Sequence, residues 1–278
     1  MLTVSELYIY PIKSLGGITL SRAEVTDRGF KYDRRWMLVD EQNRSLTQRQ
    51  YPQMSSIKMS LKSSGLLARH PMRGDIHIPF LPHNHQTIEE VTVWGDICKG
   101  VTLGSSYDQW FSETLGLKCR LIYMPDDTHR QVDTRYASKG HFTSFADGYP
   151  FLAIGQASLD DLNSRLDVQL PMNRFRPNIV FRGGEPYEED LMKHIQVANI
   201  DFFGVKLCSR CILTTIDQQT AEKGKEPLKT LSTYRMKDNK TMFGQNLIHH
   251  GTGVMQVGDR LKVLTRHEEK RFFVSSPV

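Results

Sequence analysis

Residues 208–217 read Cys208-Ser209-Arg210-Cys211-Ile212-Leu213-Thr214-Thr215-Ile216-Asp217, and the rest of the chain takes its meaning from them. Two thiols stand three apart, with an arginine beside the second. Thiols react and ligate as thiolates, and a neighbouring guanidinium stabilises that form. The β-branched run Thr214-Thr215-Ile216 predicts that the thiols lie where a strand meets a loop. A Cys-x-x-Cys pair can be half of a zinc site, a redox dithiol, or a ligand loop for a softer metal.

The chain as a whole narrows these choices. Its 278 residues suit one large or two ordinary domains. Hydrophobic content of 39% and charged content of 24% are those of a globular protein. Net charge is +5, from 36 basic and 31 acidic residues, which suits an anionic ligand. The basic stripe of a nucleic-acid binder is missing, so no nucleic-acid polymer is expected as partner. No apolar run approaches membrane-spanning length, and the first residues lack a basic leader, so neither a membrane span nor a signal peptide is expected. Four cysteines are too few for a disulfide scaffold, and a reduced, cytoplasmic setting is expected.

Along the chain, alternation predicts strands around Leu7–Tyr10, residues 18–25, Trp36–Val39, residues 57–61 and residues 89–94. Residues 67–86 hold Pro71, Pro79 and Pro82 and are expected to be loop-rich. His83-x-His85 can present two imidazoles there, but no acidic or thiol partner is spaced to complete a site, so a solvated loop is expected. A helix is predicted over 106–115, with a Ser106/Gln109 capping box and Gly116 as its stop. Cys119–Tyr123 reads as a strand. Residues 124–149 show little periodicity, and loops that long are usually functional or mobile. A second helix is predicted over 156–166. Hairpins are predicted over 195–207, turning near Asn199 and Gly204, and over 254–264 around Val257-Gly258-Asp259. Glu188-Glu189-Asp190 is expected to face solvent or cap the following segment. Many strands and two helices give a mixed, β-rich (α+β) fold, a barrel or sandwich.

Among chemical candidates, zinc is weakly supported, because a structural site needs four ligands and there is a single Cys-x-x-Cys. Cys98 and Cys119 stand alone as small buried hydrophobes. A thioredoxin-like dithiol is weakly supported too, because β-branched residues follow Cys211. Phosphate-loop, dinucleotide, serine-hydrolase and zinc-protease motifs do not occur. Asn173-Arg174-Phe175-Arg176-Pro177-Asn178 combines arginine forks suited to phosphate with amides suited to a heterocycle.

Taken in order, several blocks resemble the MOSC family, the molybdenum-cofactor sulfurase C-terminal domain proteins. They are Tyr10-Pro11-Ile12-Lys13-Ser14, Asp33-Arg34-Arg35-Trp36, Phe145-Ala146-Asp147-Gly148-Tyr149-Pro150, Phe175-Arg176-Pro177-Asn178-Ile179-Val180, Cys208-Ser209-Arg210-Cys211 with Thr214-Thr215, and Phe243-Gly244-Gln245-Asn246-Leu247. The likeness is to YcbX-like proteins and the mitochondrial amidoxime-reducing component. It implies an MOSC N-terminal β-barrel-like domain over residues 1–120, whose first strands can pack with the second domain. An MOSC β-barrel domain over 121–266 and a charged tail over 267–278 follow.

The resemblance further implies a mononuclear molybdenum cofactor (Mo-molybdopterin) ligated by Cys211. Lys13, Ser14, Arg34, Arg176, Asn178, Ser209, Arg210 and Asn246 would contact its phosphate and pterin, with Gly148 and Tyr149 beside them. Cys208 would be a supporting residue, and Arg210 would help keep Cys211 ionised. Asp147 would relay protons, hold water or cap the turn before Pro150. The implied activity is reduction of small N-hydroxylated substrates such as amidoximes, hydroxylamines and N-hydroxylated bases. The alternative is a protein that carries or delivers sulfur or the molybdenum cofactor.

YcbX-like proteins often carry a C-terminal 2Fe–2S domain, yet no cysteine follows Cys211 here. Electrons are therefore expected from a separate ferredoxin- or flavin-type donor, unless this is a piece of a longer chain. The N-terminal membrane segment of the mitochondrial relatives is not in this sequence, so a cytoplasmic protein is expected.

Overall fold

The alternation that begins the chain builds the first strand, Leu2–Ile9, which buries Leu2, Val4, Leu7 and Ile9 on one face. In this computed structural model, which describes residues 1–81 and 87–268, that strand lies inside the larger sheet. Its neighbours there are Ile179–Arg182 and Arg260–Arg266, both antiparallel to it. The order continues through Met192–Val197, Ile200–Ser209 and Lys240–His250 to Phe151–Gly155, which pairs with Ile179–Arg182 and closes a barrel of seven strands. Closure removes the open edges that a flat sheet would expose. Phe151–Gly155 and Ile179–Arg182 are parallel, and helix Gln156–Asn163 lies in the crossover that a parallel pair requires. Phe30, Phe151, Phe181 and Phe202 fill the interior with Val4, Leu7 and Leu261.

The second unit is built mainly between residues 36 and 123. Trp36–Val39, Arg120–Tyr123, Asp96–Thr102 and Ile88–Val93 form a four-stranded sheet. Lys58–Lys62, Gly65–His70 and Gly74–Pro79 form a three-stranded one. Helix Ser105–Leu115 joins their shared core through Phe111 and Leu115. Arg22–Thr26 pairs with Gly253–Gln256, and Ala23, Val25 and Met255 join the barrel core, so this early segment packs with the barrel. The sheets thus do not divide the chain at one point. Strand Leu2–Ile9 belongs with the barrel, and Arg120–Tyr123 completes the sheet of the N-terminal unit.

Several expectations need correction. Residues 65–79 are two paired strands, because Leu66, Ala68 and Ile78 alternate into the core. His83, His85 and the rest of residues 82–86 lie outside the described residues, as does the tail from residue 269. The first helix is capped by Gly104 rather than by a Ser106/Gln109 box. Asp108 Oδ1 instead accepts the Leu121 amide at 2.8 Å. Gly116 does stop that helix, at a φ of 68° that favours glycine. The hairpin after Met192 turns at Ala198 and Asn199, both left-handed, while Gly204 sits inside its second strand. Val257–Asp259 is no hairpin, since the strands on either side pair in different sheets. Glu189 and Asp190 are buried, the first against Ser158 and the second against Arg235, so they do not face solvent.

Candidate functional site

Where the barrel meets the N-terminal unit, the chain crosses between them repeatedly, and these crossings make a pocket of about 350 Å³. After strand Leu2–Ile9 the backbone turns out at Tyr10, and Lys13 N donates to Trp36 O at 2.8 Å. Arg34 N donates to Tyr10 O at 3.0 Å, and Phe145 N donates to Arg34 O at 3.0 Å. Asp33 ties this knot, accepting the Tyr10 amide at 2.7 Å on one oxygen and Arg34 Nη1 at 2.6 Å on the other. Lys13, Ser14, Arg34 and the loop holding Asp147, Gly148 and Tyr149 thereby reach one wall.

The opposite wall comes from the barrel. Strand Ile200–Ser209 delivers Cys208 and Ser209, then Arg210 leaves the sheet. Cys211 begins a one-turn 3₁₀ helix over Ile212–Thr215, whose Thr214 returns both its amide and its hydroxyl to the Cys211 carbonyl at 3.1 and 3.0 Å. The β-branched run after Cys211 is therefore a helical turn and not a strand, because hydroxyls of Thr214 and Thr215 satisfy carbonyls three residues back. Arg176, Asn178 and Asn246 complete the lining. All twelve residues read from the sequence as site candidates, Cys211 and Asp147 among them, come to this one pocket.

Charge dominates it. Lys13, Arg34, Arg49, Arg176, Lys206 and Arg210 face the pocket, and Asp147 is the carboxylate among its described lining residues. Lys13 is buried, and its Nζ donates to Asp147 Oδ1 at 2.5 Å and to Phe145 O at 3.0 Å. Burial pulls the amine below its ordinary range, and Asp147 works against that pull. Although burial opposes it, the charge and hydrogen bond of Lys13, with the Trp94 indole and Arg49, hold the Asp147 carboxyl well below the usual carboxylate range. The Asp147 side chain nonetheless has 66% of its surface open, because it faces the pocket.

Arg34 and Arg176 stack over the Tyr10 ring at 4.3 and 4.1 Å. Burial lowers Arg176 to about 10, and the nearby Arg34 charge adds to that fall. Asn178 is spent on the frame: its Oδ1 accepts from Arg34 Nη1 at 3.1 Å and its Nδ2 donates to Tyr8 O at 3.2 Å. Arg174, from the same motif, turns away to Asp217 at 2.7 Å. The expected pairing of Arg210 with Cys211 is not the one formed. Arg210 Nη1 donates to Cys208 Sγ at 2.9 Å and Nη2 to Phe175 O at 2.6 Å, because the chain turns between the two thiols. Among the described residues, Arg210 Nε and the buried Tyr149 hydroxyl find no hydrogen-bond partner.

The lining also includes Thr47, Arg49, Trp94 and Lys206, side chains with polar groups that the sequence reading did not single out. Lys206 had a usable signal, since it stands two before Cys208 on one strand. Thr47, Arg49 and Trp94 lie in turns of the N-terminal unit that no local pattern links to the thiols.

Comparison with known proteins agrees with this architecture. The MOSC N-terminal beta barrel domain matches residues 1–118 and the MOSC domain matches residues 141–262. Mitochondrial amidoxime-reducing component 1 of Mus musculus is 33% identical, over 94% of this chain and 82% of that protein. Its Homo sapiens counterpart is 32% identical, over 94% and 83%. Molybdenum cofactor sulfurase of Oryza sativa subsp. japonica is 31% identical over 87% of this chain but only 32% of its own length. Paired domains, in order and over nearly the whole chain, place this protein in the MOSC-domain family, among the relatives of the amidoxime-reducing components.

Proposed function

We propose that this chain is a molybdenum-cofactor-dependent reductase of N-hydroxylated compounds, amidoximes first among them. The observation that carries the reading is the meeting, around Cys208 and Cys211, of residues from distant parts of the chain in a pocket that is strongly cationic. The donor set fits an anionic pterin–dithiolene group. Lys13, Arg34, Arg176 and Arg210 offset negative charge, Arg210 Nε and Tyr149 have hydrogens to donate, and Cys211 offers a soft ligand for a thiophilic metal. A pocket of about 350 Å³ also has the size of a small-molecule site.

The reaction converts N–OH to N–H and water with two electrons and two protons. The bound cofactor supplies the redox chemistry, and the protein's part is placement and proton traffic. Asp147, ionised at neutral pH, is the acceptor that orients the substrate's O–H or N–H. The buried Lys13 ammonium beside it is the proton-bearing partner. A ferredoxin- or flavin-type protein delivers the electrons.

The test is molybdenum and pterin content together with benzamidoxime turnover, for wild type and Cys211→Ser, from a cofactor-competent host. Near-stoichiometric metal with turnover in wild type, and loss of both activity and most metal in the variant, are expected. A Cys211→Ser protein that keeps its molybdenum and its rate would sink the ligand assignment.

A delivery role is the second reading. It is favoured by Cys208, a second thiol lining the same pocket, and by likeness to a molybdenum cofactor sulfurase. A persulfide on Cys211 in a protein without reductase activity would favour it.

A further inference from the structure

Two side chains in the pocket are left over by the cofactor reading, and they touch each other. The Arg49 guanidinium lies 3.9 Å above the Trp94 ring. Trp94 stands at a hairpin turn with 55% of its surface exposed, and its Nε1 donates to Asp147 Oδ1 at 3.1 Å. Among the described residues, Arg49 has no ion-pair partner and donates no hydrogen bond. A guanidinium laid over an indole spends its face on the ring and keeps its in-plane N–H donors for an anion.

There is room for that anion. A second recess of about 330 Å³ adjoins the pocket and shares Thr47, Arg49 and Trp94 with it. Its other lining includes Arg44, Ser45 and Thr92, and among the described residues no carboxylate. Arg44 is already neutralised by Asp40 at 2.9 Å, so the available charge there is that of Arg49. The indole thus links three things: Asp147 in the main pocket, a cation that forms no salt bridge among the described residues, and a polar recess beyond it.

We propose that Trp94 and Arg49 form the substrate-recognition wall of this site, and that they favour flat N-hydroxylated compounds bearing an anionic group at the end remote from the N–OH. This rests on the reductase reading. The flat body packs along the indole with its N–OH at Asp147, and the carboxylate or phosphate at its far end meets the Arg49 fork over the second recess.

The experiment compares benzamidoxime with 4-carboxybenzamidoxime on the cofactor-loaded full chain, driven by a chemical reductant. Wild type is expected to prefer the carboxylate in kcat/KM. Arg49→Gln should cut that preference about tenfold, the scale of one charge-assisted hydrogen bond, through KM rather than kcat, and Arg49→Lys should restore part of it. A preference unchanged in Arg49→Gln would overturn the proposal. So would loss of molybdenum and pterin from that variant, which would make Arg49 a cofactor residue. If loaded wild type reduces neither compound, the reductase reading fails, and binding decides the recess separately. Trp36 is fully buried and Trp110 packs against Phe111 in the N-terminal core, so the exposed Trp94 can report on a nearby ligand. Saturable quenching of tryptophan fluorescence by 4-carboxybenzamidoxime, lost in Trp94→Phe and weakened in Arg49→Gln, would support the wall. Quenching that is absent, or equal in all three proteins, would refute it.

Discussion

Ser14, Arg34, Trp94 and Arg176 all line the pocket, and all hold left-handed backbone angles, with φ between 49° and 66°. Each such residue costs on the order of 1–3 kcal/mol, which the surrounding structure must supply. Here the Arg34 amide donates to Tyr10, Arg176 to Leu15 and Trp94 to Asp147, while the Ser14 carbonyl accepts from Gln48, and in return the side chains converge. At this scale the sequence was most readable where a short run of residues carries both the turn and the chemistry, as in Lys13-Ser14 or Arg176-Pro177-Asn178. It was least readable where the partner is chosen by a turn, as with Arg210, which takes Cys208 instead of Cys211. The Lys13–Asp147 pair gives a clean expectation. Burial lowers the Lys13 pKa and Asp147 raises it, so Asp147→Asn removes the main raising influence. Lys13 should then release its proton at lower pH than in wild type, and the pocket should lose positive charge over that interval. Nitrogen-15 NMR of the lysine side chains across a pH titration reads this directly, and an unmoved Lys13 resonance would contradict it.

At the scale of elements, the strand Ile200–Ser209 does two jobs, closing against Met192–Val197 and Lys240–His250 while aiming the thiols out of the barrel. Gly204 makes the change of direction possible. The register shifts between Gly204 and Lys206, and a Cβ at 204 would lie 2.0 Å from the Met192 carbonyl. Gly204→Ala should therefore force the two strands apart and destabilise the protein by about 1–3 kcal/mol, the usual cost of overpacking. Urea denaturation would show it, and a midpoint equal to wild type would mean that the strands yield freely. Periodicity found about half of the strands and both long helices, because alternation is a property of neighbouring residues, but Phe151–Gly155 and Lys240–His250 of the barrel escaped it. It did not find that Gly253–Gln256 pairs with Arg22–Thr26, because pairing partners distant in sequence leave no local trace.

For the whole molecule, the junction of barrel and N-terminal unit is where the site lies, and that junction was legible only through the order of the family blocks. Stability of the whole also depends on a group remote from the chemistry. Burial, reinforced by the Asp190 charge, raises the Glu189 carboxyl well above its ordinary value of 4.5. Above pH 4.5 the unfolded chain gives up this proton while the folded chain keeps it. The group's stabilisation is thus complete below that pH and declines as pH rises toward the folded pKa, by at most about 1.4 kcal/mol per pH unit. Glu189→Gln should flatten this part of the stability–pH curve in calorimetric scans. Parallel curves for the two proteins would show that Glu189 ionises in the fold as it does in water.

The barrel's closing strand also sets a timetable. Leu2 pairs with Leu261 and Thr3 with Arg260, so residues 2 and 3 wait for a strand more than 250 residues further along the chain. Until then Leu2–Ile9 lacks one of its two flanking strands, and contacts so distant in sequence form slowly. Nascent chains in that interval are the aggregation-prone form of this protein. The pocket, which hangs from the same strand through Tyr10 and Lys13, comes into being only once that strand has its partner, so its ligand meets a closed barrel.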